Sequence, residues 1–316
     1  MDPLSDVLRA VRLTGAYFYM VEATHPWSVL TVEAKKLVPR VHPAAEHLIS
    51  YHILTSGECW GGVAGDEQIL MQAGDAIVFP HGDANLLSSK QSRLADAMTL
   101  KATPERHPNT VLVGGPSSTK ATFVCGFLGC DLRPFNPLLS ALPRQLIARG
   151  GPGDWLSEFP RHALAESRDP KPGSETMLTR MAELMFVEVL RRHVASLGSQ
   201  ETGWLAGLAD DVVGPALRAL HERPEHAWTL PDLARAVGAS RTVLIERFSS
   251  VIGIPPMQYL TQWRLQLAAD QLARGSAKVA AIGARVGYES EAAFSRAFKR
   301  ATGQSPSAWR SARQAG

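Results

Sequence analysis

Two sets of side chains in this 316-residue sequence have types and spacings suited to chemistry. The first lies in the first 130 residues: His47, His52 and His81, with the cysteines Cys59, Cys125 and Cys130. Imidazole and thiolate groups bind zinc or nickel, and paired thiols exchange electrons. The second lies in "RVGYESEAAFSRAFKRATGQSP" (285–306), where cations stand beside small polar residues on a helical spacing. Such a surface reaches phosphates with Arg and Lys and base edges with short side chains.

Spacing narrows the first set. Three cysteines do not make a disulfide framework, and buried thiols serve as small hydrophobes. On one strand Cys125 and Cys130 would point to opposite faces, since their separation is odd. A Cys59–Cys125 redox pair stays open. In "HLISYHILTSGE" four residues separate His47 from His52, so no paired H-x-H is present.

The elements that must position these groups follow from periodicity. Residues 17–130 hold short β-like runs such as "HLISYHIL", "DAIVFP" and "ATFVCGFLGC", divided by turn signals such as "AGD" and "HGDAN". Several short strands with regular turns predict an all-β sandwich or barrel. From about 135 the pattern becomes helical. "SETMLTRMAELMFVEVLRRHVASL" predicts one long helix with a broad apolar face. That face either packs on its own barrel or pairs with a second subunit. Residues 198–214, small, polar and glycine-rich, read as a linker, part of which docks rather than floats through Trp204, Leu205 and Leu208.

Charge divides the chain as well. The net charge is +3, but residues 1–214 carry −4 and residues 215–316 carry +7. A basic last third on an acidic body fits a nucleic-acid-binding module joined to something else. No apolar run is long enough to cross a bilayer, and "MDPLSDVLRAVRL" has no signal-peptide core, so a cytoplasmic location is expected and no membrane partner.

The basic third contains a repeat. "LARAVGASRTVLIERFSSVIGIPP" (233–256) aligns with "IGARVGYESEAAFSRAFKRATGQSP" (282–306), with one extra residue in the second turn. Leu233 matches Ile282, Gly238 matches Gly287, Ser240 matches Ser290 and Phe248 matches Phe298. Each copy reads as helix, glycine turn, helix. The glycine supplies a positive φ that ends the first helix, and the serine caps the second. Leu244 with Phe248, and Phe294 with Phe298, lie at i, i+4 and face the core. Between the copies, 255–274 is a continuous helix pattern. About 20 residues span roughly 30 Å, close to one turn of B-DNA at about 34 Å.

These residues resemble the AraC/XylS family of bacterial transcription regulators over roughly 215–312. The resemblance implies a seven-helix DNA-binding domain that binds promoter DNA, usually at tandem sites. Carried over by position, the first base-reading helix uses Arg241, Thr242, Ile245 and Glu246. The second uses Glu291, Ala292, Ser295 and Arg296, with Lys299 beside them. Ile245 and Glu246 stand where many members carry polar or basic side chains, which suggests a thymine contact and one acidic acceptor.

In the N-terminal part "GDAIVFPHGDAN" (74–85) resembles the second cupin motif through Gly74, Pro80 and Gly82. The position of the motif's metal-binding histidine holds Asn85, and the first cupin motif is absent. The resemblance therefore implies an effector-binding cupin with no metal and no cofactor. A pocket lined by His52, Trp60, His81, Asn85 and Cys125 would receive the effector. Two other readings stay open: a metal held by His47, His52 and His81, and a plain structural role in which His81 serves a turn and His52 is a satisfied wall residue.

The expected protein is α+β. A cupin-like β-barrel with flanking helices (1–140) is the sensor domain, and a helical segment (141–200) serves dimerisation. A linker (201–214) leads to an all-α domain with two helix-turn-helix units (215–316). Its expected function is regulation of transcription in response to a small-molecule effector, without enzymatic activity. The expected partners are double-stranded promoter DNA, the effector, RNA polymerase and a second copy of the chain. A redox- or metal-responsive regulator, or a cupin enzyme fused to a DNA-binding domain, is the alternative.

Overall fold

The computed structural model describes residues 2–11, 13–91, 98–99, 110–115, 120–132, 134–151, 153–198 and 201–314. Its strands are β1 (Thr14–Thr24), β2 (Ser28–Thr31), β3 (His47–Ser56), β4 (Glu58–Val63), β5 (Ile69–Gln72), β6 (Ala76–Phe79), β7 (Asn85–Ser88), β8 (Met98–Thr99), β9 (Thr110–Gly114), β10 (Lys120–Cys130) and β11 (Leu146–Ala148). Its helices are α1 (Pro3–Ala10), α2 (Val38–Val41), α3 (Pro137–Ala141), α4 (Trp155–Arg168), α5 (Ser174–Ser196), α6 (Trp204–Gly207), α7 (Val213–Glu222), α8 (Leu230–Ala236), α9 (Arg241–Ile252), α10 (Pro256–Arg274), α11 (Val279–Arg285), α12 (Glu291–Thr302) and α13 (Pro306–Gln314).

The chain forms two compact units that the expected boundaries did not anticipate. One comprises Leu13–Cys130 and Leu142–Ser196; the other comprises Met1–Arg12, Asp131–Ala141 and Leu197–Gly316. Thus α1 and the 131–141 segment, assigned from sequence to the sensor domain, fold with the helical unit. The physical reason is a set of long-range bonds on α10. Gln266 is almost fully buried. Its side-chain amide donates to the Ala10 carbonyl at 2.8 Å and accepts from the Phe135 amide at 3.0 Å. Arg313 pairs with Asp131 at 3.0 Å.

The expected 201–214 linker is likewise part of this unit. Trp204 and Leu205 on α6 are buried, and the Trp204 indole donates to the Tyr259 hydroxyl at 2.7 Å. Since an indole N–H only donates, the Tyr259 hydroxyl is free to donate in turn to Nε2 of His221, 2.7 Å away. The His221 ring stacks on Trp263 with centroids 4.2 Å apart.

In the sheet unit, one sheet has the order β11-β6-β3-β10-β1-β9 and the other β5-β4-β7-β2-β8. Among the described residues no ladder joins them, so the expected barrel is a pair of sheets around a shared core. Alternation explains that core. On β10, Phe123, Cys125 and Phe127 face inward with Leu54 of β3, Cys59 and Val63 of β4, and Leu87 of β7. The intervening residues Val124 and Leu128 of β10 and Ile49, Tyr51 and Ile53 of β3 are also buried. Helices α4 and α5 pack against β3 and β1, and strands covered on both faces read as nearly continuous apolar runs. Gly126 is required there, because a Cβ would meet the Tyr51 ring at 2.4 Å.

Gln266→Leu strands two backbone groups, the buried Ala10 carbonyl and the half-buried Phe135 amide. Urea unfolding should show a loss of about 1–3 kcal/mol, and amide exchange at Phe135 should accelerate. Unchanged exchange at Phe135 would mean that the bond does not hold the segment.

Candidate functional site

The helical unit carries the duplicated element that the sequence predicts. Helices α8 and α11 end at turns whose glycines, Gly238 and Gly287, have φ of 68° and 88°. The hydroxyls of Ser240 and Ser290 then accept from the amides of Val243 and Ala293, each at 3.2 Å. Leu244 and Phe248 on α9, and Phe294 and Phe298 on α12, are fully buried, as expected. Gly283 on α11 lets α12 approach closely, since a Cβ there would meet Phe294 at 3.1 Å.

The opposite faces are open. Arg241, Thr242, Ile245 and Glu246 of α9 are exposed, as are Glu291, Ala292, Arg296 and Lys299 of α12, with Ser295 half-buried. Arg241, Arg296 and Lys299 enter no ion pair among the described residues. Arg247, by contrast, is held by Asp210 at 2.7 Å, the carboxylate that also caps α7 by accepting from the amides of Val212 and Val213. Val243, absent from the sequence candidates, is an exposed apolar residue on α9. Its signal was a β-branched side chain outside the buried seam.

The sheet unit brings together three of its five candidates. Cys125 and His52 pair across β10 and β3, and Asn85 opens β7 opposite Val63. All three are buried on the inner faces. His52 Nε2 lies 2.9 Å from Asn85 Oδ1, and His52 Nδ1 lies 2.8 Å from Cys125 Sγ. The Asn85 Nδ2 group donates to the Ser50 hydroxyl at 3.2 Å and to the Asp83 carbonyl at 3.3 Å. The Tyr19 hydroxyl bonds to Cys125. Phe79 meets the His52 ring edge-on, with centroids 6.0 Å apart.

Two candidates fall elsewhere. Trp60 alternates with the inward Cys59 and Gly61 on β4, so it lies on the sheet's other face and is half-buried. His81 is exposed, and its Nε2 bonds to the Leu142 carbonyl at 2.9 Å, tying down a turn. Sequence spacing could not separate these from the inner set, because a turn before β7 and the register of β4 decide them. Tyr19, Ser50 and Trp27 are residues of the inner layer that the sequence reading missed; the Trp27 indole N–H is buried without a partner among the described residues.

The metal alternative loses its geometry. His47 Nε2 contacts the Pro80 carbonyl at 2.7 Å, while His52 and His81 hold the separate partners given above. Among the described residues no group of three His, Cys, Asp or Glu could hold a metal. The three cysteines are buried and form no disulfide. Burial pushes the Cys59 thiol up to about 12 and the Cys125 thiol well above its ordinary value. Burial also lowers the His52 imidazole to about 4, against a smaller opposing effect of the Asn85 hydrogen bond.

A two-sheet unit joined to paired, capped helix-turn-helix elements defines a DNA-binding regulator of transcription. Comparison with known proteins agrees. A cupin family model matches residues 2–195, and a helix-turn-helix domain model matches residues 233–312. A putative AraC-like transcription regulator of Streptomyces antibioticus is 32% identical, with 98% of each chain covered. The HTH-type transcriptional regulator AlkR of Acinetobacter baylyi is 28% identical over 98% of this chain and 99% of its own. A solved DNA-binding domain of AdpA, in complex with a target DNA, is 28% identical, covers 34% of this chain and 96% of that one, and gives a TM-score of 0.33. The chain belongs to the AraC-like transcription regulators, with a cupin N-terminal domain. Among the described residues no helix is long and apolar enough to cross a membrane.

The neutral His52 makes a pH prediction. The unfolded chain takes up this proton near the ordinary value of 6.5, and the folded chain only near 4. The imidazole's contribution is therefore complete above pH 6.5 and is lost as pH falls from there toward 4, amounting to about 3 kcal/mol. In urea unfolding across this range, His52→Gln should flatten the pH dependence by that amount. An unchanged slope would show that the imidazole accepts its proton in the folded state.

Proposed function

We propose that this regulator reads operator DNA with α9 and α12, in successive major-groove segments on one face of the duplex. The observation that carries this reading is the duplicated unit: two serine-capped helices, each burying one seam and leaving a short polar and cationic face open. Arg241 and Thr242 would meet bases or phosphates at the start of α9, with Ile245 and neighbouring Val243 against a thymine methyl and Glu246 as an acceptor. Glu291, Ala292, Ser295 and Arg296 would do the reading on α12, and Lys299 would reach a phosphate. The 19-residue α10 between them spans roughly 28 Å at about 1.5 Å per residue, which suits this spacing. Action on promoter DNA in the cytoplasm, with RNA polymerase as a further partner, completes the reading; no enzymatic step is part of it.

A small-molecule effector would bind between the two sheets, beside His52, Asn85 and Cys125. The support is a chain of polar groups set in an otherwise apolar core, with the Trp27 indole, unpartnered among the described residues, in the same layer. Strands β1 and β10, which carry Tyr19 and Cys125, run on in sequence into α1 and the 131–141 segment of the helical unit. A shift of either strand would thus be passed along the backbone to the segments bonded to Gln266. A homodimer through α5 is supported by its outer stripe, where Met177 and Leu184 are more than half exposed.

Two measurements test these points. Arg296→Ala should weaken operator binding by about 1–3 kcal/mol and relax one base preference, and wild-type binding should fall steeply with salt. Equal loss on every sequence would make Arg296 a phosphate contact, and a flat salt dependence would move the DNA surface elsewhere. Leu184→Glu should shift sedimentation from dimer to monomer; an unchanged dimer would remove α5 from the interface.

A further inference from the structure

Hydrogen-bond logic fixes the protons of the inner polar site. Asn85 Oδ1 can only accept, so the His52 Nε2 it faces carries a hydrogen. In the neutral ring Nδ1 then has the lone pair, and the hydrogen that can point at it is that of the Cys125 thiol, 2.8 Å away. A thiol thus faces a base, and the base is held by an amide. This is the nucleophile, base and orienting-group order of Cys–His–Asn thiol chemistry. It is assembled across both sheets, from β10, β3 and β7. Nothing in simple packing demands it, because each buried polar group costs free energy unless paired, and apolar residues would fill the same core.

We propose that Cys125 is a covalent capture site for small, uncharged α,β-unsaturated carbonyl compounds, with His52 as its proton acceptor and Asn85 as the residue that positions the ring. This deepens the effector reading and rests on it. The chemical class follows from the surroundings. The site is buried among Phe79, Phe123 and Phe127, so an anionic or cationic ligand would lose its hydration without a counter-charge. Conjugate addition needs neither a leaving group nor a co-reactant.

The step balances within the cluster. As Cys125 Sγ bonds to the ligand's β-carbon, the thiol proton passes to His52 Nδ1. The double-bond electrons move to give the enolate. The proton then returns from Nδ1 to the α-carbon, leaving a thioether and neutral His52. The raised thiol pKa and lowered imidazole pKa keep the resting pair uncharged, as an apolar core requires. The same shifts oppose a free thiolate–imidazolium pair, so proton transfer to Nδ1 accompanies formation of the Cys125 Sγ–carbon bond rather than preceding it.

The test uses the full-length protein with cyclohexenone, read by intact mass and peptide mapping. The expected result is a single adduct on Cys125, with Cys59 and Cys130 unmodified, at a rate unaffected by low urea. Cys125→Ser should give no adduct, and His52→Gln should react at least about 100-fold more slowly. Asn85→Ala, which keeps the base but frees its ring, should react at a rate between those of the wild type and His52→Gln, so the proposal does not depend on one variant folding. Equal labelling of all three cysteines, or labelling that follows urea unfolding, would overturn it. So would unchanged rates in folded His52→Gln and Asn85→Ala. Cyclohexanone, which cannot add, separates the two ideas. If it raises the wild-type melting temperature while cyclohexenone leaves no adduct, the effector site stands and covalent capture falls. If neither compound acts, both fall for this ligand class.

Discussion

A polar side chain enclosed in a protein core must find its hydrogen-bond partners there, and each unit of this chain is organised around one such group. In the helical unit the group is Gln266, whose amide joins α10 to the ends of two segments distant in sequence. In the sheet unit it is His52, whose two ring nitrogens join three strands of two sheets. Leaving either group unpaired would cost more than a typical surface contact contributes. These bonds therefore select one register and one docking position among several that apolar packing alone would tolerate.

The DNA-binding elements rest on local rules instead. A glycine with positive φ, a serine cap three residues before its amide partner, and an i, i+4 apolar pair are enough to build each helix-turn-helix unit. The same devices occur twice, which leaves two similar outer faces. Their side chains differ: α9 offers Val243 and Ile245 in the open, whereas α12 offers Arg296 and Lys299. In the proposed reading the first face would add apolar contact with thymine and the second more charge, so the two helices would read an operator by different chemistry.

The chain passes between the two units four times, at 12/13, 130/131, 141/142 and 196/197, rather than through one linker. β1 follows α1, and β10 precedes the 131–141 segment, and both flanking segments belong to the helical unit. Cys125 and Tyr19 lie on those same strands. If the proposed effector site is right, a ligand response and a DNA-binding response would share these stretches of backbone.

How much was legible beforehand depended on the range of the interaction. The repeat, its caps, its buried Leu244, Phe248, Phe294 and Phe298, and α10 starting after Pro255 were all readable, because turn chemistry and helical period act within a few residues. The change to β-structure before residue 130 was readable for the same reason. Other features were not. Trp60 and His81 looked like companions of His52, but strand register sends one to the opposite face and a turn holds the other at the surface. Trp204 and Leu205 read as residues by which a linker docks, but their partner did not: Tyr259, over fifty positions away, receives the Trp204 indole. Helix α1 looked like part of the sensor domain, until the Ala10 carbonyl met Gln266 across 256 residues. By itself, then, the sequence determined the local elements and the class of regulator. Only the tertiary structure decided which distant polar groups would satisfy one another, because that depends on where the completed backbone brings them.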